Sequence, residues 1–233
     1  MRVIAGTYKS RILKSLKGLA LRPTSDRLRE TLFNVLAPHI SGSRFVDLFA
    51  GTGAIGIEAL SRGAAEAVFL ENHAPAVTLI KKNLESLGIT KSATVLAADA
   101  LRGLAKLAAR KSPGYNIIFL DPPYAAAADY SRVLEFLGTA DLLAPGGLVA
   151  AEHRRSFDLP EAAGALSRFR VLKQGDAALS FYRRPANPRN RPAAGTTRPS
   201  KPPQAEFHLF LRLAVVAAGG TCPDPVGSPA AFS

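Results

Sequence analysis

The sequence predicts an α/β fold, a mostly parallel sheet with helices on both faces. Three observations carry this. From Arg44 to Arg183, short apolar runs alternate with helix-like patterns. The runs are apolar almost throughout, as strands covered on two faces must be. Gly51, Gly53 and Gly56 stand in G-x-G-x-x-G spacing between the first run and the first helical pattern, where a tight strand-to-helix turn lets backbone approach a ligand.

In chain order, "RVIAGTYKSRIL" reads as a small hairpin. "DRLRETLFNVLAPHI" reads as a helix with Leu28, Leu32, Val35 and Leu36 inward and Pro38 as its stop. Strands are expected at residues 44–49, 67–71, 94–98, 115–120, 147–152, 169–173 and 178–183. Between the first five lie helices at 54–61, 75–87, 101–110 and 130–137, and Gly88 suits the position just past the second of these. Residues 1–184 are expected to form one domain, with 1–43 as its basic hairpin-and-helix extension. Residues 185–204, "PANPRNRPAAGTTRPSKPPQ", are rich in proline and poor in apolar residues. They cannot bury a core and are expected to be disordered. The short apolar piece that follows fits a docking helix or an extension without function; the second is preferred, so 185–233 is expected to be a disordered tail.

Composition narrows the classes. A chain of 233 residues with 47% apolar content can bury one real core. The lone cysteine, Cys222, forms no intramolecular disulfide and points to a reducing compartment. The amino terminus is polar and basic, without a signal-peptide apolar region, and the run 207–218 is too short to span a bilayer. A cytoplasmic protein without a membrane partner is expected. Net charge is +12, and residues 1–29 hold eight Lys/Arg against one acid, Asp26. Such a segment suggests a polyanion, nucleic acid first, with Lys9, Arg11, Lys14, Lys17, Arg22 and Arg27 as phosphate contacts.

The glycine loop fits a dinucleotide equally well until the acids are considered. Glu71, twenty residues after Gly51, is placed to meet ribose hydroxyls. Asp47, four residues before Gly51, would repel a pyrophosphate but face a cationic amine well. It therefore favours S-adenosylmethionine over NAD. Asp99 can accept from an exocyclic adenine amine while the Ala100 N–H meets a ring nitrogen, although Asp99 also reads as a helix N-cap. With Phe49 inside the loop, these residues make a cofactor crevice at successive strand ends.

The fourth run ends in "FLDPPY", residues 119–124. An exocyclic base amine is a poor nucleophile because its lone pair is delocalised. Two acceptors on its N–H groups would pyramidalise it and aim the lone pair at a methyl donor. The Asp121 carboxylate and the Pro122 carbonyl can be those acceptors. Pro122 and Pro123 stiffen the loop and offer no competing N–H. Tyr124 can stack on the base, a contact worth about 1–3 kcal/mol. His39, His73 and His153 form no triad-like arrangement, and no metal is expected.

"DPPY" after a strand, "DLFAGTGAIGIEALSRGA" and "RPTSDRLRETLFNVL" together closely resemble the bacterial small-subunit (16S) ribosomal RNA guanine-N2 methyltransferases, over roughly residues 1–184. The resemblance implies a three-layer, Rossmann-like class I methyltransferase fold, with a seven-stranded sheet whose last strand is antiparallel. It implies that Asp47, Gly51, Gly53, Glu71 and Asp99 bind S-adenosylmethionine, and that Asp121, Pro122, Pro123 and Tyr124 hold the guanine amine. The partner it implies is 16S RNA, free or in an assembling small subunit, met by a monomer. Two features depart from the family: the loop after Tyr124 is "AAAAD", with few side chains to read RNA, and the tail after Arg184 inherits nothing. DPPY is shared with enzymes acting on adenine-N6 or cytosine-N4 of DNA, but a separate target-recognition domain has no room here. An NAD oxidoreductase would lack its second domain and leave FLDPPY unexplained. A catalytically silent RNA-binding protein would have no use for Asp121.

Overall fold

The computed structural model describes residues 1–15, 25–110, 113–123 and 127–185. Met1–Asn187 is one compact unit, and the second unit, Pro188–Ser233, lies outside the described residues, as does the expected disorder of the tail. The elements run α1 Asp26–Ile40, β1 Arg44–Leu48, α2 Ala54–Ser61, β2 Glu66–Glu71, α3 Ala74–Ser86, β3 Ala93–Ala97, α4 Ala100–Ala108, β4 Tyr115–Leu120, α5 Ala127–Thr139, β5 Leu143–Arg154, β6 Ala162–Ala163, β7 Leu166–Gln174 and β8 Ala177–Arg183.

One sheet takes the order β3-β2-β1-β4-β5-β8-β7-β6. The first five positions are mutually parallel, and β8 returns antiparallel beside β5. The sheet thus has eight strands, where seven were expected. The extra strand is the two-residue β6, paired with the start of β7 at the edge. Two residues carry no periodicity, so nothing in the sequence signals it.

Alternate side chains of each central strand feed two cores. Phe45, Phe69, Ile117 and Phe119 pack with α1, α2 and α3 on one face. Val46, Leu70, Ile118 and Leu120 pack with α4 and α5 on the other. The apolar runs are near-continuous for this reason.

Pro38 does not stop α1, contrary to expectation; it lies inside the helix. It is exposed and in the last turn, so it forgoes a single hydrogen bond, while Ile40 beyond it is buried and holds the helix down. Phe33 and Arg29 join Leu28, Leu32 and Leu36 inside, and Val35 is only half-buried. Gly88, with φ of 70°, follows α3 as its spacing suggested, and the Ile89 N–H reaches back to the Leu84 carbonyl.

The amino-terminal hairpin exists, though its pairing is short. Arg2 bridges Ile12, and Val3 N–H donates to the Arg11 carbonyl at 3.0 Å. Val3 and Leu13 are buried in the first core. No helix among the described residues is long and apolar enough to cross a membrane.

Candidate active site at the carboxyl ends of the strands

Parallel pairing brings the carboxyl ends of β2, β1, β4 and β5 side by side. Glu71 ends β2, Asp47 lies near the end of β1, Asp121 follows β4, and Glu152 stands near the end of β5. The register pairs Leu48 with Leu120 and Leu120 with Ala151, so Asp121 and Glu152 are the next residues on neighbouring strands.

The loop between β1 and α2 turns through three positive φ angles, at Phe49 (60°), Gly51 (56°) and Gly53 (78°), and Gly53 is the α2 N-cap. Gly56 is needed for packing: a Cβ there would meet the Phe69 ring at 2.3 Å. Two acids hold this loop. Asp47 Oδ2 accepts from the Gly56 N–H at 2.9 Å, and Glu71 accepts from the Gly51 N–H through Oε2 and from the His73 N–H through Oε1, both at 2.8 Å. A carboxylate has further lone pairs, so Glu71 can hold the loop and still accept from a ribose hydroxyl.

Burial dominates the charge state of Asp47. It is 1% exposed, and desolvation pushes its carboxyl up to about 8, eased by the Gly56 bond and reinforced by Glu71 nearby. A cation brought to this point would favour the ionised form. Asp99 caps α4: Oδ1 accepts from the Arg102 N–H at 3.0 Å, and Oδ2 lies 3.4 Å from Arg102 Nε. The cap reading is therefore correct, and the half-exposed carboxylate keeps acceptor capacity toward the crevice. Ala100 is buried at the start of α4.

Asp121 is half-buried, with Pro122 buried beneath it and Pro123 exposed. Desolvation first, then the neighbouring Glu152 and Asp47 carboxylates, raise its carboxyl well above the usual range. Asp121 thus holds a proton more readily than an exposed carboxyl does. Tyr124 lies outside the described residues. Glu152, which the sequence reading did not single out, is 5% exposed, and its backbone carbonyl accepts from the Tyr130 hydroxyl at 2.6 Å. The available signal was an acid near the end of an apolar strand, like the other three.

Of the basic candidates, Lys9, Arg11, Lys14 and Arg27 are exposed; Lys17 and Arg22 lie outside the described residues. The hairpin turn beside Lys9 is fastened to Ser61, the last residue of α2, where the Ser61 carbonyl accepts from the Thr7 N–H. Lys14 is fastened at the other end, beside Thr52 in the glycine loop. The eight residues of α2 separate these points by about 12 Å. Among the described residues, the basic stretch therefore runs along α2 and reaches the loop near Lys14. Between the ends, Glu58 of α2 accepts from the Ile4 and Ala5 N–H groups at 2.7 and 3.0 Å and pairs with Arg62. Among the described residues no cluster of His, Cys, Asp and Glu could hold a metal ion.

The sequence model of the family described as "Conserved hypothetical protein 95" matches residues 1–183. "Ribosomal RNA small subunit methyltransferase D" of Haemophilus influenzae is 42% identical over 186 residues, which are 78% of this chain and 92% of that one. Its Escherichia coli K12 counterpart is 36% identical, over 80% of this chain and 91% of that one. Among solved structures, the Escherichia coli protein yhhF superposes with a TM-score of 0.70 at 34% identity, covering 80% of this chain and 99% of that one. A hypothetical protein of Thermus thermophilus superposes with a TM-score of 0.67 at 31% identity, covering 78% and 98%. The family match spans the glycine loop, the acid-lined strand ends and the hairpin extension, and the chain is a member of the Conserved hypothetical protein 95 family, the family of the ribosomal RNA small subunit methyltransferases D.

Proposed function

We propose that this protein transfers the methyl group of S-adenosylmethionine to the exocyclic N2 amine of a guanine in 16S ribosomal RNA. The observation that carries the reading is Asp121. It stands on a proline-stiffened strand end, next to the glycine loop's own strand, in surroundings that raise its proton affinity. Relatives named as small-subunit ribosomal RNA methyltransferases support the substrate class. "DPPY" and the "RPTSDRLRETLFNVL" stretch support the amine and the guanine.

The cofactor, when bound, supplies an electrophilic methyl on a sulfonium. Everything else is done by this chain. The loop of Phe49, Gly51 and Gly53 gives close backbone approach; Glu71 accepts from ribose, Asp99 and the Ala100 N–H address the adenine, and Asp47 faces the amino-acid end. Asp121 and the Pro122 carbonyl accept the two N2–H bonds, so the nitrogen pyramidalises and directs its lone pair outward. With the cofactor bound, its methyl would pass from sulfur to this nitrogen, which would then have one proton to shed. No strong general base is needed for this, and Asp121, when ionised, can accept it. Tyr124 supplies a stacking face for a base drawn out of its stack. Lys9, Arg11, Lys14, Lys17, Arg22 and Arg27 hold phosphates.

The deciding experiment supplies tritiated S-adenosylmethionine and unmethylated small-subunit particles, followed by nucleoside analysis. The expected product is N2-methylguanosine. Label in N6-methyladenosine or N4-methylcytidine, or none at all, would refute the reading.

A further inference from the structure

Asn83 is completely buried on α3, and its side chain makes three hydrogen bonds. Oδ1 accepts from the Lys14 N–H at 2.8 Å. Nδ2 donates to the Lys14 carbonyl at 3.1 Å and to the Thr52 carbonyl at 3.0 Å. The carboxamide has one workable orientation, because turning it over would set its NH2 against the Lys14 N–H. One side chain thereby grips the backbone of a basic residue from both sides, much as a paired strand would. Its remaining donor grips the residue between Gly51 and Gly53.

The neighbourhood makes this grip stiff. Thr52 also donates its hydroxyl to the Met1 sulfur at 3.7 Å, and the Met1 carbonyl accepts from the Leu13 N–H at 3.0 Å. Gly53 leaves room for Ile80, one turn before Asn83 on α3, at 3.3 Å from where a Cβ would stand. On the other side, Glu58 and Ser61 bind the hairpin to α2, the helix the glycine loop begins. The hairpin is therefore attached to the loop by part-buried hydrogen bonds, and Asn83 ties the Lys14 and Thr52 backbones together.

We propose that Asn83 is a positioning residue that couples the two binding events, so that RNA held at Lys14 and cofactor held by the Thr52 loop each strengthen the other. The inference rests on the reading above, in which the hairpin meets RNA phosphates and the glycine loop meets S-adenosylmethionine. Either ligand that fixes its half of the Lys14–Asn83–Thr52 chain lowers the ordering cost for the second. Linkage makes the effect equal in both directions.

The test is equilibrium dialysis of radiolabelled S-adenosylhomocysteine against the full chain, alone and saturated with an unmodified 16S RNA transcript. For the wild type, RNA should tighten the cofactor product by about fivefold or more, within the usual range of coupling between sites. For Asn83→Ala the tightening should fall below about twofold, while each ligand alone keeps its affinity within about threefold. A merely structural role would weaken single-ligand binding and leave the ratio intact. Equal ratios in both proteins, or no tightening in the wild type, overturn the coupling alone, since both binary complexes still form. Failure of either binary complex overturns the functional reading with it. Amide exchange on the wild type needs no variant: S-adenosylhomocysteine should slow exchange at Lys14 as well as in residues 50–56. Protection confined to the loop would overturn the proposal.

Discussion

Asp47 is a buried acid and Asp121 a half-buried one, and their surroundings give them different work. Asp121 is asked to accept a hydrogen bond that strengthens as the amine pyramidalises. Asp121→Ala should cut single-turnover methylation by about 10²-fold or more, as loss of one preorganised polar partner does elsewhere. Affinity for S-adenosylhomocysteine should change little. Asp121→Asn keeps an acceptor oxygen and should fall between the two, and Tyr124→Phe should be mild where Tyr124→Ala is severe. Near-wild-type rates for Asp121→Ala would reduce the DPPY turn to a stiff corner. Asp47 predicts a pH dependence. Its carboxyl is pushed up to about 8, so it is protonated at neutral pH in the free protein. A ligand ammonium prefers the ionised form, so binding should expel a proton. Affinity for the cofactor should rise with pH below about 8 and level above it, and Asp47→Asn should flatten the profile. Calorimetry between about pH 6 and 8, in buffers of different ionisation enthalpy, reads both the slope and the released proton. The sign for folding is opposite: a raised acid favours the folded state at low pH, and that advantage is lost between about 4 and 8.

At the scale of elements, α2 is the hinge of the arrangement. Its amino end carries the glycine loop and its flank carries the hairpin. Glu58 is fully buried and satisfies two hairpin N–H groups and Arg62. Glu58→Ala would strand all three, and urea denaturation should show a loss of about 3 kcal/mol. Unchanged stability would mean that the hairpin is not held through α2. Gly56→Ala should cost about 1–3 kcal/mol because the added methyl has no room against Phe69. The hairpin's own contribution is electrostatic. Neutralising Lys9, Arg11, Lys14 and Lys17 should lower the salt slope of RNA binding by about 0.7–0.9 for each phosphate no longer held, and leave the cofactor's affinity alone. The separation along α2 ranks them: Lys14, beside the loop, should matter to turnover more than Lys9 does. A salt slope equal to wild type would make the four ordinary surface charges.

For the whole molecule, β8 is the last strand among the described residues, and its Arg183 pairs with Leu148 of β5 and Ser167 of β7. A chain ending at Pro185 should keep its unfolding midpoint and its activity, because every strand of the described sheet precedes that point. Thermal unfolding and the methylation assay on that shortened chain check this; loss of either would place residues 207–218 against the domain. The match of the family to residues 1–183 ends at the same strand.

The layered α/β architecture was legible in the residues alone, because apolar runs of strand length separated by helical periods have few ways to bury themselves. So were the glycine loop and the acids Asp47, Glu71, Asp99 and Asp121, because strand-end positions follow from the strands. Local pattern went astray at Pro38, where burial of Ile40 outweighs one lost hydrogen bond, and at β6, where two residues pair without any periodicity. Only the tertiary structure brought Glu152 beside Asp121, since that neighbourhood depends on β4 and β5 pairing across a helix. Only it joined Asn83 to Lys14 and Thr52, residues 69 and 31 positions away. A buried asparagine in a helix has no periodic signature. Its meaning lies in which distant backbones it satisfies, and packing alone decides that.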